Sequence, residues 1–338
     1  MTDSAGPVGF LLHPEAPLHD TGWGHPEHQG RLRALASAVG RDLLALHERV
    51  VQVEPGKVTE EDLLGVHTPE YLALLRTAAE RAETEGAPVR LDADTIVSAA
   101  SWGAATGSTA ALLTAVGQVA DGTLSSAFVA ARPPGHHATP DRAMGFCLIN
   151  HVAVAARWLQ ETGRAERVLI VDWDVHHGNG TQDTFYDDGT VFYLSLHQSP
   201  HYPGTGAASE TGVGEGAGWT LNVPLPSGTS VAEYSQHFSD ALSQGLETCR
   251  PDFILISAGF DVMAGDPLGG MLLEPEDLHT LACEVMAGAA SEPGAREPVA
   301  EDAPGVGVVA TLEGGYDPAR TGLGAAAVLR GLAGIDLD

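Results

Sequence analysis

What most constrains this chain is a recurrence. Short apolar runs rich in β-forming residues fall at 125–131, 167–171, 191–196, 253–257 and 306–312, several of them separated by stretches of helical period. Runs of strand length without alternation are buried on both faces, and the intervening helices supply the cover. The pattern predicts helices at 101–119, 150–160, 231–248, 275–289 and 319–332, with alanine contents that suit close packing on a sheet. A further helix is expected over 26–44. At 338 residues and 43% hydrophobic, the chain can bury a large core, and open sheets of this size commonly form one domain. The expected fold is therefore α/β, a single-domain three-layer αβα arrangement over residues 1–338 with a central, mostly parallel sheet. Residues 84–88 and the Gly-rich segment 203–218 are expected as loops, and the acidic segment 292–304 as a surface insertion.

The formal charge is −28, and Lys57 is the sole lysine. Such acidity disfavours nucleic acid and anionic membranes as partners and favours cationic ones. Cys147, Cys249 and Cys283 lie far apart with no CxxC pair and no secretory leader ahead of them, which predicts no disulfide scaffold and a cytoplasmic setting. No apolar run reaches the length of a membrane span.

In such sheets ligands lie outside the carboxyl ends of the strands. The run ending at Val171 continues V-D-W-D-V-H-H-G-N-G, and alternation along an extended chain puts Asp172, Asp174 and His176 on one face. The run 253–257 continues A-G-F-D-V-M-A-G-D, bringing Asp261 and Asp266 to an equivalent level. Asp174, His176 and Asp261 would make an open metal site with a position left for water, as catalytic zinc requires. Two carboxylates and one imidazole also suit Fe²⁺ or Co²⁺. A lone D-x-H more often caps a helix; two such strand ends together point to metal. The first run leads into R-P-P-G-H-H-A, where His136 and His137 suit proton transfer, although a His-His pair alone is equally compatible with surface polarity. Phe146 in M-G-F-C-L-I-N could line an apolar slot. The last run ends in L-E-G-G-Y-D, whose glycines admit close backbone approach and whose Tyr316 can present a phenol.

Taken in order, R-P-P-G-H-H, M-G-F-C-L-I-N, D-W-D-V-H-H-G-N-G-T-Q, S-L-H-Q-S-P-H-Y-P-G-T-G, G-F-D-V-M-A-G-D-P-L and L-E-G-G-Y-D resemble the zinc-dependent histone deacetylase superfamily, especially its class II and bacterial members. The resemblance spans nearly the whole chain, with H-D-T-G-W-G-H-P-E-H near its start. It implies the arginase/deacetylase-like fold and Zn²⁺ on Asp174, His176 and Asp261. It implies His136 and His137 as the acid/base pair, with Asp172 on His136 and Asn179 orienting His137. Also implied are a structural K⁺ or Na⁺ on Asp172, Asp174, Ser195 and the carbonyls of His176 and Leu196, and a weaker second site at carbonyls of Phe185, Asp188 and Val191. Gly145, Phe146 and Tyr202 would border an acyl-lysine channel, with Tyr316 holding the oxyanion.

The polyamine-selective branch places a glutamate just after G-D-P, where this chain has Leu268. The favoured substrate is therefore acyl-lysine in a protein or peptide, with acetylated polyamine as the alternative. A binuclear manganese ureohydrolase would carry D-x-H-x-D and D-x-D, whereas here the order is D-x-D-x-H and Asp261 is followed by V-M-A-G-D. A catalytically silent acyl- or partner-binding module is the remaining alternative, and the complete residue set argues against it.

Overall fold

Strand formation follows the apolar runs closely in a computed structural model of the chain, which describes residues 6–46, 49–291 and 305–337. The expected insertion at 292–304 lies outside the described residues. The strands are β1 (Val8–Leu11), β2 (Val50–Gln52), β3 (Val89–Arg90), β4 (Ile96–Val97), β5 (Ser126–Val129), β6 (Val168–Asp172), β7 (Val191–Gln198), β8 (Thr220–Leu225), β9 (Phe253–Ala258) and β10 (Gly307–Leu312). The helices are α1 (Gly30–Arg41), α2 (Leu43–Leu46), α3 (Glu60–Leu64), α4 (Pro69–Glu85), α5 (Ser101–Ala120), α6 (His151–Glu161), α7 (Asn179–Phe185), α8 (Val231–Cys249), α9 (Pro275–Ser291) and α10 (Pro318–Leu332).

Eight strands form one sheet in the order β2-β1-β5-β10-β9-β6-β7-β8. Every neighbouring pair in it is parallel. The antiparallel pairing of β3 with β4 stands apart as a small ribbon. Alternation along the strands divides the core in two. Leu169, Val171, Leu194, Ile254, Ile256 and Ala310 pack under α1, α8, α9 and α10. Val168, Ile170, Tyr193, Leu255 and Val309 pack under α4, α5 and α6. Burial of each Val, Leu or Ile side chain among them contributes about 1.5–3 kcal/mol, so the central strands are the least movable part of the molecule.

Local signals account for several helix starts. Thr68 caps α4 and Ser230 caps α8, each accepting a backbone N–H of the first turn. Asn150 does the same for α6, and Asp317 for α10 ahead of Pro318. The helix expected from residue 26 starts at Gly30, because Glu27 is drawn into the interior by two arginines. Arg31 and Arg132 both donate to Glu27 Oε1, at 3.0 and 2.7 Å, and all three side chains are fully buried. The segment 203–218 is irregular apart from a 3-10 turn at Gly214–Gly216. It is tied down through Glu210, which accepts from Gln182 at 2.7 Å and from the Gly206 amide at 3.0 Å.

Candidate active site

The strand order makes β5, β10, β9, β6 and β7 consecutive, so five loops leave their carboxyl ends side by side. Sequence-distant motifs meet there. His176 Nδ1 lies 3.0 Å from Asp174 Oδ1 and 3.3 Å from Asp261 Oδ2. Donors bound at about 2.0–2.2 Å in a tetrahedron stand roughly 3.3–3.6 Å apart, so one of these separations matches a zinc-sized ion and the other falls about 0.3 Å short of it. Two further observations test the fit. Asp261 Oδ2 is buried without a hydrogen-bond partner. A side chain at Gly314 would strike the carboxylate oxygens of both Asp261 and Asp174, so the space beside them is kept open by that glycine. Burial, then the charge of Asp174, pushes Asp261 up to about 7, which a cation would reverse.

The remaining carboxylate oxygens are engaged. Asp174 Oδ2 accepts the Gly314 amide at 2.7 Å and Asp261 Oδ1 accepts the Val175 amide at 3.0 Å. Against the opposing effect of burial, the charges of His136 and His176 hold Asp174 well below the usual carboxylate range. Asp266, expected at the same level, takes no part in the donor cluster. Its Oδ2 accepts the amides of Tyr316 and Asp317 at 2.6 and 3.2 Å, and its Oδ1 accepts the Leu268 amide at 2.9 Å.

His136 and His137 sit beside this cluster with ring centroids 4.0 Å apart. Asp172 Oδ2 faces His136 Nδ1 at 3.0 Å and accepts the Tyr193 hydroxyl at 2.9 Å. Burial opposes the charge on His136, but Asp172 and Asp174 outweigh it and lift its pKa to about 10. His137 Nδ1 lies 2.9 Å from Asn179 Oδ1. The Asn179 amide nitrogen faces the His137 carbonyl and Met144 Sδ, at 3.5 and 3.4 Å. That arrangement presents oxygen to the ring, so Nδ1 carries the proton and Nε2 is left as the acceptor. Burial, with the charges of His136 and His176, holds His137 well below the ordinary imidazole range and thus neutral.

A cleft of about 490 Å³ opens above the cluster, lined among others by His137, Gly145, Phe146, Tyr202, Leu268 and Tyr316. Gly145 and Phe146 both take left-handed backbone, at φ 55° and 69°. For Phe146 that is a strained conformation, of the kind that clusters at functional sites. Its ring meets Tyr316 edge-on at 5.6 Å, while Tyr202 meets His137 edge-on at 5.2 Å. Burial, then the charge of Asp261, raises Tyr316 well above the usual phenol range, so its hydroxyl remains a donor. Leu268 stands at the rim.

The residues expected at the first monovalent site lie on β6 and β7 and just past β6. Asp172 and Ser195 are register partners on adjacent strands, both fully buried, with Asp174, His176 and Leu196 close by in sequence. Phe185, Asp188 and Val191, whose carbonyls were expected at the second site, run from the end of α7 to the start of β7, and the Asp188 carboxylate meets Arg157 and Thr190. Sequence reasoning did not assign Glu27, Arg31, His201 or Glu313. Glu27 and Arg31 stand four apart in H-P-E-H-Q-G-R, a spacing that could have flagged an ion pair. His201 stacks on His176 at 4.8 Å and faces the Leu268 carbonyl through Nε2 at 2.8 Å.

Residues 25–332 match the family model described as histone deacetylase domain. A probable deacetylase of Archaeoglobus fulgidus is 34% identical over 98% of this chain and 88% of its own length. Histone deacetylase 10, chloroplastic, of Oryza sativa subsp. japonica is 36% identical over 87% of this chain and 66% of its own. The crystal structure of the HDA15 HD domain superposes with a TM-score of 0.86 at 32% identity, covering 98% of this chain and 89% of that one. With the motifs, the parallel sheet and the relatives in agreement, the chain belongs to the histone deacetylase family.

Proposed function

We propose that the chain is a zinc-dependent amidohydrolase that removes acetyl or related acyl groups from lysine side chains of proteins or peptides. One observation carries the reading: a neutral His137, with Nε2 as its acceptor, shares the base of a narrow cleft with a three-residue metal donor set and the Tyr316 phenol. Asp174, His176 and Asp261 would hold Zn²⁺, or Fe²⁺ or Co²⁺, and the bound ion would supply Lewis acidity that polarises the amide carbonyl and acidifies water. His137 Nε2 takes the proton of the attacking water as its oxygen bonds to the acyl carbon. The Tyr316 hydroxyl donates to the oxygen that becomes anionic. The C–N bond then breaks, the amine nitrogen takes a proton from the histidine pair, and carboxylate and free amine result. Asp172 keeps His136 cationic and fixed, and Asn179 keeps His137 in the productive tautomer. Phe146 and Tyr202 flank the methylenes of the side chain. Asp172, Asp174, Ser195 and the carbonyls of His176 and Leu196 would hold K⁺ or Na⁺, with the turn at Phe185, Asp188 and Val191 as a weaker second place.

Leu268 at the rim favours acyl-lysine over acetylated polyamine, because a second ammonium finds no carboxylate at that position. The three cysteines are all free, which suits a reducing, cytoplasmic setting, and among the described residues no helix is long and apolar enough to cross a membrane. The test is acetate release from an acetyl-lysine peptide and an N-acetylated polyamine side by side, with chelator and with restored Zn²⁺. Peptide turnover that vanishes on chelation and returns with zinc is expected. Faster turnover of the polyamine would reverse the substrate assignment, and no turnover of either would overturn the deacetylase reading.

A further inference from the structure

The L-E-G-G-Y-D turn carries a carboxylate that the chemistry above leaves without a part. Glu313 is fully buried just past β10, and its side chain reaches under two neighbouring strand ends. Oε2 accepts the amides of Gly135 and His136, at 2.7 and 3.1 Å. Oε1 lies 3.2 Å from the Ser257 hydroxyl, which donates from β9. Its backbone is held as well, with its N–H on the Ala258 carbonyl at 3.0 Å and its carbonyl accepting from Arg31. One residue therefore links the ends of β5, β9 and β10.

The link matters because of what precedes the histidine pair. Pro133 and Pro134 have no N–H, so Gly135 and His136 supply the first amide donors of that turn, and both point at the same oxygen. A buried amide left without an acceptor is costly, so the turn is held where Glu313 is. Three residues beyond Glu313 stands Tyr316, and between them Gly314 donates to Asp174. His136, Cys147 and Glu313 donor atoms do fall within 4.8 Å of one another. They make a poor metal site, since the carboxylate oxygens are taken by donors, His136 Nδ1 faces Asp172, and burial keeps the Cys147 thiol protonated.

We propose that Glu313 is a positioning residue: its side chain fixes the His136–His137 turn relative to the Tyr316 turn, so that proton acceptor and oxyanion donor are held in one frame. The proposal rests on the deacetylase reading for its kinetic arm only. A crossed pair of variants tests it. Glu313→Gln keeps an acceptor oxygen at full reach without charge, whereas Glu313→Asp keeps the charge but withdraws the oxygen by one methylene. Expected for Glu313→Gln is a kcat within about threefold of the unsubstituted protein. Expected for Glu313→Asp is a fall of about 10- to 100-fold in kcat with KM and zinc content unchanged, as a displacement on the order of 1 Å implies. The second readout is the His136 Nδ1–H resonance by NMR, expected to shift in Glu313→Gln only by the loss of a nearby charge and to shift further in Glu313→Asp. The reverse order, or Glu313→Gln as impaired as Glu313→Asp, overturns the proposal. If Glu313→Asp is recovered unfolded, Glu313→Gln decides alone: a near-wild-type kcat supports it, and a tenfold fall overturns it. A protein without any turnover would sink the deacetylase reading, while the resonance still decides the positioning role.

Discussion

His137 and His136 are neighbours in sequence with identical side chains, and their surroundings separate them. A carboxylate faces one and an amide oxygen faces the other, so one imidazole is held cationic and the other neutral. Replacing Asn179 by Asp would erase that division. The new carboxylate favours imidazolium at His137, raises its pKa, and leaves the acceptor protonated up to a higher pH. The acidic limb of kcat/KM against pH is therefore expected to move upward in Asn179→Asp, and an unmoved limb would remove His137 as the base. Tyr316→Phe deletes one donor to the developing oxyanion and should lower kcat by about 10²–10³ with zinc content unchanged. Asp261→Asn should lose both activity and bound zinc, measured on the same sample by metal analysis. Turnover near the wild-type rate in either variant would refute the role given to that residue.

At the scale of elements, the site depends on backbone that leaves room as much as on side chains that fill it. Gly314 follows β10 in a conformation open to any residue, yet a β-carbon there would collide with the oxygens of Asp174 and Asp261. Gly314→Ala is thus expected to melt below the parent even when both are measured without metal, because the two buried carboxylates must shift, and its zinc affinity is expected to fall by at least about tenfold. Parent-like zinc binding would mean that the strand ends can separate. The donor triad was legible in the sequence because its members follow apolar runs that end at one edge of the sheet, two and four positions past β6 and three past β9. Glu313 was not, since its amide partners lie 177 and 178 positions away and only the adjacency of β5 and β10 brings them together. Strand order also hid β8, where T-L-N-V-P-L mixes polar residues and a proline that an edge strand tolerates. The three-residue β2, V-V-Q and largely exposed, and the four-residue β1 are apolar but too short to read.

Over the whole molecule, buried neutral histidines make the fold acid-sensitive at places remote from the donor cluster. His19, His67 and His151 are each 1% exposed or less, and burial lowers each to about 4. His67 shows the consequence most directly. Its Nε2 accepts the Asn150 amide at 3.0 Å, and Asn150 caps α6, so protonation would set two donors face to face. The unfolded chain takes up these protons near pH 6.5 and the folded chain only near pH 4, so the unfolded state holds more protons between those values. Stability from this source is complete above about pH 6.5 and drains away as pH falls toward 4, on the order of 1–3 kcal/mol per histidine. The charge of −28 shrinks over the same interval, and Asp261 and Glu313, raised to about 7, take up protons in the fold there; both work the other way, the first over long screened distances. His177 and His197, lowered to about 3 and 4, add to the histidine side. Urea unfolding at pH 7.5, 6.5, 5.5 and 4.5, run with chelator so that metal loss contributes nothing, is expected to show midpoints that fall steadily below pH 6.5. His67→Phe, destabilised at neutral pH, should show a shallower fall than the parent across that range. A parent midpoint that holds level from pH 6.5 to 4.5 would mean that these histidines are protonated in the fold after all, and that the hydrogen bonds drawn to them as acceptors are wrong.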